Sequence, residues 1–495
     1  MFVKMALSRS HFFWMNTIMN KELLKERAYI DGQWVSADKT FDVDNPFDNG
    51  IIASVADCSV KQVEQAIDSA NTAFKSWSKA TAKERSNLLH KWYSLITDNA
   101  DDLAELLTIE QGKPLQEAKS EILYGASYIK WFAEEALRVN GDLIPSPDGD
   151  KQIEIHKFPV GVVGIITPWN FPQAMIARKV APALAAGCTV VIKPASETPL
   201  SALAMAALAD QAGIPKGVVN VVPSTSSSEV GQALTSSPLV RKISFTGSTP
   251  VGKKLIAQSA ENVQKVTMEL GGNAPFIVFD DADINAAVDG LMASKFRNSG
   301  QTCVCANRVF VHENLYQEFI KLLGNKVNDL KLGNGLSEGV KITALINQKG
   351  IDKVLRLIKQ ATDSGAEILV GGSQSKEFKN IMQPTILSNV TQDMDIASEE
   401  IFGPVIALIP FSDDDEVIAA ANNTSAGLAS YAYTEDRKRI KRLVRELEYG
   451  MVGINTGMLS NEMAPFGGVK ESGMGREGSK YGISDYLDIK YACVN

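Results

Sequence analysis

The chain has 495 residues, 45% hydrophobic and 22% charged, the balance of a globular enzyme too long for a single core, so two or three domains are expected. A net charge of −8 argues against nucleic acid or an anionic membrane as the main partner. The five cysteines (Cys58, Cys188, Cys303, Cys305, Cys493) are not a disulfide framework, and the four histidines (His11, His90, His156, His312) form no metal-ligand cluster.

The start of the chain mixes Phe2, Val3, Phe12, Phe13 and Trp14 with Lys4 and Arg9. It has no unbroken apolar run and no small-residue cleavage site, so it does not read as a signal peptide. Residues 1–22 are expected to be a poorly ordered extension. No window reaches the ~20 apolar residues a membrane helix needs. A cytoplasmic protein is the expectation.

Tyr29 to Val35 reads as two short strands around Asp31-Gly32. Apolar residues at helical spacing predict helices over Val60–Trp77, Ala82–Gln111 and Leu115–Leu137. Pro145, Pro147, Asp148 and Gly149 mark a break. β-rich runs then alternate with Ala- and Leu-rich helical segments. The strands fall at Val162–Ile166, Thr189–Ile192, Val218–Val222 and Lys242–Thr246. This is the pattern of a doubly wound parallel sheet. Thr198-Pro199 reads as N-cap and first residue of a helix to Gln211.

A second α/β region begins near Pro275. Its strands are expected at Phe276–Phe279, Arg308–Val311, Ile368–Val370, Val405–Pro410, Ser430–Tyr433 and Val452–Asn455. Helices are expected at Ala282–Lys295, Leu315–Leu330, Gln348–Asp363 and Asp415–Asn422. The last run, Tyr486–Tyr491, is a strand that needs a partner, and Gln152–Phe158 can supply one. Such a projecting pair would suit a homodimer or homotetramer.

Between the helix ending at Lys295 and the strand from Arg308 lies a polar turn holding two cysteines, Gly300-Gln301-Thr302-Cys303-Val304-Cys305. A thiol on a strained turn near a helix start can have a lowered pKa, and the thiolate is the nucleophile. Two small buried loop residues are the other reading. Three further segments follow strands of the first region: Thr167-Pro168-Trp169-Asn170, Lys193-Pro194-Ala195-Ser196 and Thr246-Gly247-Ser248. The carboxyl ends of a parallel sheet are the usual nucleotide site. The G-x-G-x-x-G fingerprint is absent; Gly247-Ser248-Thr249-Pro250-Val251-Gly252 lacks its middle glycine. Glu269-Leu270-Gly271-Gly272 offers a candidate base, and Glu400-Ile401-Phe402-Gly403-Pro404 a carboxylate for a ribose diol with an aromatic wall.

Together these motifs resemble the aldehyde dehydrogenase superfamily, in order and spacing, from about Tyr29 to Val494. Within it the chain is similar to the bacterial, NADP-using succinate-semialdehyde dehydrogenases, most clearly over Phe296–Asn307. The resemblance implies an α/β fold with a Rossmann-type cofactor domain (23–144 and 160–272), an α/β catalytic domain (273–475) and a small β oligomerisation arm (145–159 and 476–495). It implies Cys303 as nucleophile, Asn170 as oxyanion donor and Glu269 as base for the hydrolytic water. Ile166, Thr167, Trp169, Lys193, Ser196, Gly247, Ser248, Leu270, Glu400 and Phe402 are implied to bind the cofactor. Arg178, Arg297 and Ser460 match the family's carboxylate-binding residues. A distal carboxylate suits two arginines, because buried cations without an anion cost several kcal/mol.

Cofactor choice turns on Ser196, where NAD-preferring relatives often have Glu. Small, neutral Ser196 beside Lys193 implies NADP, with NAD also admitted given Glu197 next door. Cys305 is a candidate for a reversible regulatory disulfide with Cys303. Glutarate semialdehyde is the alternative substrate. A cysteine hydrolase or amidotransferase is the alternative class, with His312 the nearest histidine to serve Cys303; a non-catalytic nucleotide-binding protein is a third reading.

Overall fold

The structure is a computed structural model and describes residues 20–495. The expectation of a disordered start therefore falls mainly outside the described residues. Runs of β-branched and apolar residues build two largely parallel sheets, because strands buried on both faces need no polar alternation.

The first sheet has eight strands in the order Gly473–Met474, Lys265–Glu269, Val240–Thr246, Val162–Ile166, Thr189–Lys193, Val219–Val221, Ala28–Ile30, Gln33–Val35. Its five central strands are parallel. From Val162–Ile166 the chain moves outward through Thr189–Lys193, then returns to the opposite side at Val240–Thr246. That reversal makes a switch point, where the strand ends diverge and leave a crevice.

The helices of this half are α1 (Val60–Trp77), α2 (Ala82–Asp98), α3 (Ala100–Gln111), α4 (Leu115–Glu135), α5 (Ala174–Ala186), α6 (Pro199–Gln211), α7 (Ser227–Ser236) and α8 (Thr249–Ser259). Helix α1 begins with a reciprocal Ser59–Gln62 capping box. The single helix expected over Ala82–Gln111 is two, broken at Asn99, whose side chain folds back to donate to Leu95 O at 2.8 Å. The expected Thr198 cap is also corrected. Thr198 makes no capping bond; the buried carboxylate of Glu110 on α3 accepts from the Leu200 and Ser201 N–H groups, each at 2.8 Å. Trp92 on α2 is buried in the same core and donates its indole N–H to Met205 O at 3.1 Å. Burying such a side chain stabilises by roughly 1.5–3 kcal/mol.

The second sheet has seven strands in the order Glu367–Val370, Thr385–Ser388, Val405–Phe411, Ala306–His312, Ala274–Val278, Ala429–Tyr433, Met451–Ile454. Helix α9 (Ile284–Phe296), capped by Asp283, feeds the cysteine turn. The strand Thr385–Ser388 and the helix Arg437–Glu446 were not expected from the sequence. The former is short; the latter is dominated by Arg and Lys, with only Leu443 fully buried. The terminal strand does find its partner: Leu487–Val494 pairs antiparallel with Gln152–Pro159, and Asp142–Pro145 adds a third strand. Among the described residues no helix is long and apolar enough to cross a membrane.

Candidate active site

The polar turn after α9 is held in an unusual conformation. Asn298, Ser299 and Gly300 take φ values of 49°, 53° and 81°, three successive left-handed residues. Such backbone costs about 1–2 kcal/mol per non-glycine residue. Buried hydrogen bonds hold it: Ser299 Oγ bonds Thr343 O at 3.2 Å, the Asn298 N–H donates to Glu117 Oε2 at 2.7 Å, and Gln301 Oε1 accepts from the Ile346 N–H at 2.9 Å. Glycine is required at 300, because a Cβ there would lie 2.2 Å from Gly403 O. Gly272 allows a second close approach: a Cβ would lie 2.3 Å from Cys303 O. The cysteine turn is thus clamped between the Glu269-Leu270-Gly271-Gly272 and Glu400–Pro404 segments.

This clamp opens onto a cavity of about 800 Å³ at the switch point of the first sheet. Cys303, Asn170, Ile166, Thr167, Trp169, Lys193, Ser196, Gly247, Ser248, Leu270, Glu400 and Phe402 all line it. Trp169 and Phe402 meet edge to face, their centroids 5.5 Å apart. Lys193 is buried, which lowers its ammonium to about 8, with Glu197 and Asp57 opposing the shift. The Ser196 hydroxyl donates to Glu197 Oε2 at 3.1 Å. Burial raises the Glu400 carboxyl to about 7, while a 3.1 Å hydrogen bond from the Gly272 N–H opposes it.

Cys303 is partly exposed at the cavity wall. The lowered thiol pKa expected from the turn is not found. Burial pushes the thiol up to about 12, with Glu400 adding to the rise and Arg178 and Arg297 opposing it. Asn170 donates one amide N–H to Gln301 O at 3.0 Å, which leaves the other free. The Cys303 N–H has no protein acceptor among the described residues. Glu269 is buried, and neither carboxylate oxygen has a hydrogen-bond partner. Burial and the nearby Glu477 raise its pKa well above the usual carboxylate range, against Arg178, Lys179 and Arg476.

Glu269 and the remaining predicted residues are not among those that line the large cavity. Arg297 and Ser460 share a small crevice with Tyr431 and Leu459. Among the described residues Arg297 has no salt-bridge or hydrogen-bond partner; its guanidinium lies 5.0 Å from the Phe171 ring centroid. Arg178 is fully buried on α5, 3.9 Å from the Phe466 ring centroid and 5.4 Å from that of Tyr128. Its Nε lies 2.8 Å from Glu477 Oε2 as a charge contact off the hydrogen-bond line, and its Nη2 has no partner. Lys179 also pairs with Glu477, whose carboxyl burial alone would raise; the two cations hold it below its ordinary value. Cys305 is buried, its thiol 3.7 Å from Lys295 O, and both cysteines are free.

Residues 34–492 match the aldehyde dehydrogenase family. The chain belongs to that family. It is 55% identical over 482 residues to the 3-sulfolactaldehyde dehydrogenase of Pseudomonas putida, covering 97% of this chain and 99% of the relative. It is 53% identical over 479 residues to the glutarate-semialdehyde dehydrogenase of Pseudomonas aeruginosa, covering 96% and 99%. The crystal structure of succinate-semialdehyde dehydrogenase from Burkholderia pseudomallei superimposes with a TM-score of 0.95 at 53% identity, covering 97% of this chain and 99% of that one. The aldehyde dehydrogenase-like α/β fold and NAD(P)-dependent aldehyde oxidation are thereby established for this chain.

Sequence reading missed Lys113, Glu121, Asn298 and Gln301, which hold Asn170 and the turn, and it gave Lys179 and Glu477 no role. One signal was available: Arg178 and Lys179 interrupt α5, a helix otherwise made of apolar residues and buried throughout. Adjacent cations in such a helix need a buried acid.

Proposed function

We propose that this chain oxidises a short semialdehyde carrying a distal anion, succinate semialdehyde first, to the corresponding acid. The observation that carries the reading is Arg297: a cation with no acid partner, in the nucleophile's own turn, sharing a crevice with Ser460. Arg178, with Nη2 unpaired, supplies a second cation. Glutarate semialdehyde is the second reading, since the two arginines do not fix chain length and a relative acts on it. The sulfonate of 3-sulfolactaldehyde offers the same negative charge.

The Cys303 thiol gives up its proton to solvent water, and the thiolate attacks the aldehyde carbon to form a thiohemiacetal whose oxygen carries the negative charge. The free Asn170 amide N–H and the Cys303 N–H receive the developing oxyanion. Arg178 and Arg297 favour the thiolate. The residues of the large cavity fit a dinucleotide: the orphaned Thr167 and Thr246 hydroxyls, the buried Lys193, and the N-terminus of α8, where Ser248 makes no side-chain cap. Lys193 and Ser196 would hold the adenosine ribose, Glu400 the nicotinamide ribose, and Gly247 and Ser248 the pyrophosphate, with Ile166, Thr167, Leu270 and the Trp169–Phe402 pair as walls. When bound, the nicotinamide supplies the hydride acceptor that takes the thiohemiacetal to a thioester. Glu269, with both oxygens unpaired, then takes a proton from the water that hydrolyses the thioester. NADP is the preferred cofactor, because Ser196 puts no carboxylate of its own at the ribose; NAD is also used.

The test is NAD(P)H absorbance with succinate semialdehyde, glutarate semialdehyde, 3-sulfolactaldehyde and butyraldehyde, each with both cofactors. A higher kcat/KM for succinate semialdehyde with NADP supports the reading. Preference for butyraldehyde refutes the anion site. We further propose a cytoplasmic homodimer or homotetramer joined through the three-stranded arm, on which Leu143 and Ile489 are 69% and 71% exposed. Sedimentation of Leu143→Ser/Ile489→Ser tests the arm: an unchanged oligomer removes it as the interface.

A further inference from the structure

Asn170 stands at the end of a strand, in a loop with no regular structure of its own. A donor aimed at an oxyanion needs its direction fixed by neighbours, because a shift of about 1 Å can cost roughly a hundredfold in rate. The structure fixes it from two sides. The side chain is held through Gln301 O at 3.0 Å. The backbone carbonyl is held by two donors, Lys113 Nζ at 2.7 Å and Asn298 Nδ2 at 3.0 Å.

Lys113 comes from the break between α3 and α4, and its ammonium is fully buried. It lies 2.5 Å from Glu121 Oε2 on α4, itself fully buried, and 3.8 Å from the Phe171 ring centroid. The other oxygen of Glu121 accepts from the Gln173 and Ala174 N–H groups at 3.0 and 3.2 Å, at the start of α5. One buried ion pair thus grips the loop at both ends: Lys113 at Asn170 and Glu121 three residues later. A buried pair is a poor source of stability, because desolvation offsets the attraction. Its fixed geometry serves the loop instead.

Given the oxyanion role proposed above for Asn170, we propose that the Lys113–Glu121 ion pair is a positioning element that holds Asn170 in register with Cys303. Neither Lys113 nor Glu121 lines the large cavity or the Arg297–Ser460 crevice. The pair acts on the step in which the carbonyl oxygen gains charge, and therefore on acyl transfer from any carbonyl substrate.

The test uses the full-length enzyme and the double variant Lys113→Met/Glu121→Gln. This removes both charges of the pair together and keeps an acceptor for Gln173 and Ala174; Glu117, which also feels Lys113, keeps its hydrogen bond from the Asn298 N–H and the charge of Arg297. Glu121→Gln alone is the milder change should the double variant fold poorly. Four quantities are read: kcat for aldehyde oxidation, hydrolysis of p-nitrophenyl acetate without cofactor, alkylation of Cys303 by iodoacetamide, and Tm. The expected result is a roughly tenfold to hundredfold fall in oxidation and in ester hydrolysis. Alkylation, which builds no oxyanion, stays within about twofold. On an Asn170→Ala background the double change adds no further loss. A full additional loss on that background overturns the proposal, as does a parallel fall in alkylation or an unchanged kcat. Asn170→Ala retaining full activity removes the oxyanion reading itself, and is scored separately.

Discussion

Arg297→Gln isolates the anion-recognition argument, because nothing in the protein pairs with that guanidinium among the described residues. Its removal breaks no ion pair, although the nearby Glu117 carboxyl loses one of the cations that oppose its raised pKa. Arg178→Ala is a poor probe by contrast: it takes one of two cations from buried Glu477, and breaking a buried ion pair costs about 3–5 kcal/mol. A hydrogen bond to a charged group contributes about 1.5–3 kcal/mol. Through the rate equation this is a loss of roughly tenfold to 150-fold in kcat/KM. The loss should fall on succinate semialdehyde and spare butyraldehyde, which has the same carbon count and no charge. The assay is NADPH formation at saturating NADP, with Tm checked to stay within about 2 °C of the parent, as a surface-like change predicts. Equal losses on both aldehydes would refute the reasoning, since Arg297 would then be shaping the Cys303 turn and not reading the substrate.

Glu110 predicts a pH dependence of stability. Burial raises its carboxyl to about 7 against an ordinary 4.5, though the hydrogen bonds from the Leu200 and Ser201 N–H groups oppose the shift. A raised folded pKa means stability is full below the unfolded value and falls as pH climbs to the folded one, here by about 3 kcal/mol between pH 4.5 and 7. Glu110→Gln should flatten Tm over that window; an unchanged slope would assign it to other groups. Gly272→Ala should lower kcat on the order of tenfold to a hundredfold, because its methyl would collide with the Cys303 carbonyl; an enzyme with parental kcat would show the clamp is slack. Cys305→Ala should retain activity but make mild peroxide inactivation irreversible, as Cys303 oxidises past sulfenate without a resolving thiol. Recovery with dithiothreitol equal to that of the parent would end the disulfide idea.

The sequence by itself determined the parts and their order. Alternating β-rich runs and Ala-rich segments gave the parallel sheets, because strands buried on both faces leave a pattern no surface element shares. Helix bounds such as Val60–Trp77 were legible from apolar spacing, and those of Gln348–Asp363 also held. Where local signals misled, a distant group had replaced them: Glu110 caps α6 in place of Thr198, from 90 residues away. Twelve of the residues that line the large cavity were also legible, as short motifs at strand ends and in the cysteine turn. What only the tertiary structure decided was the ionic state and pairing of the site. Burial of Cys303 and Glu269 raises both pKa values, and burial is a property of the packed chain that no motif encodes. The same holds for the two arginines, which the sequence presents as equals. Packing gives Arg178 an acid partner from the far end of the chain and leaves Arg297 without one.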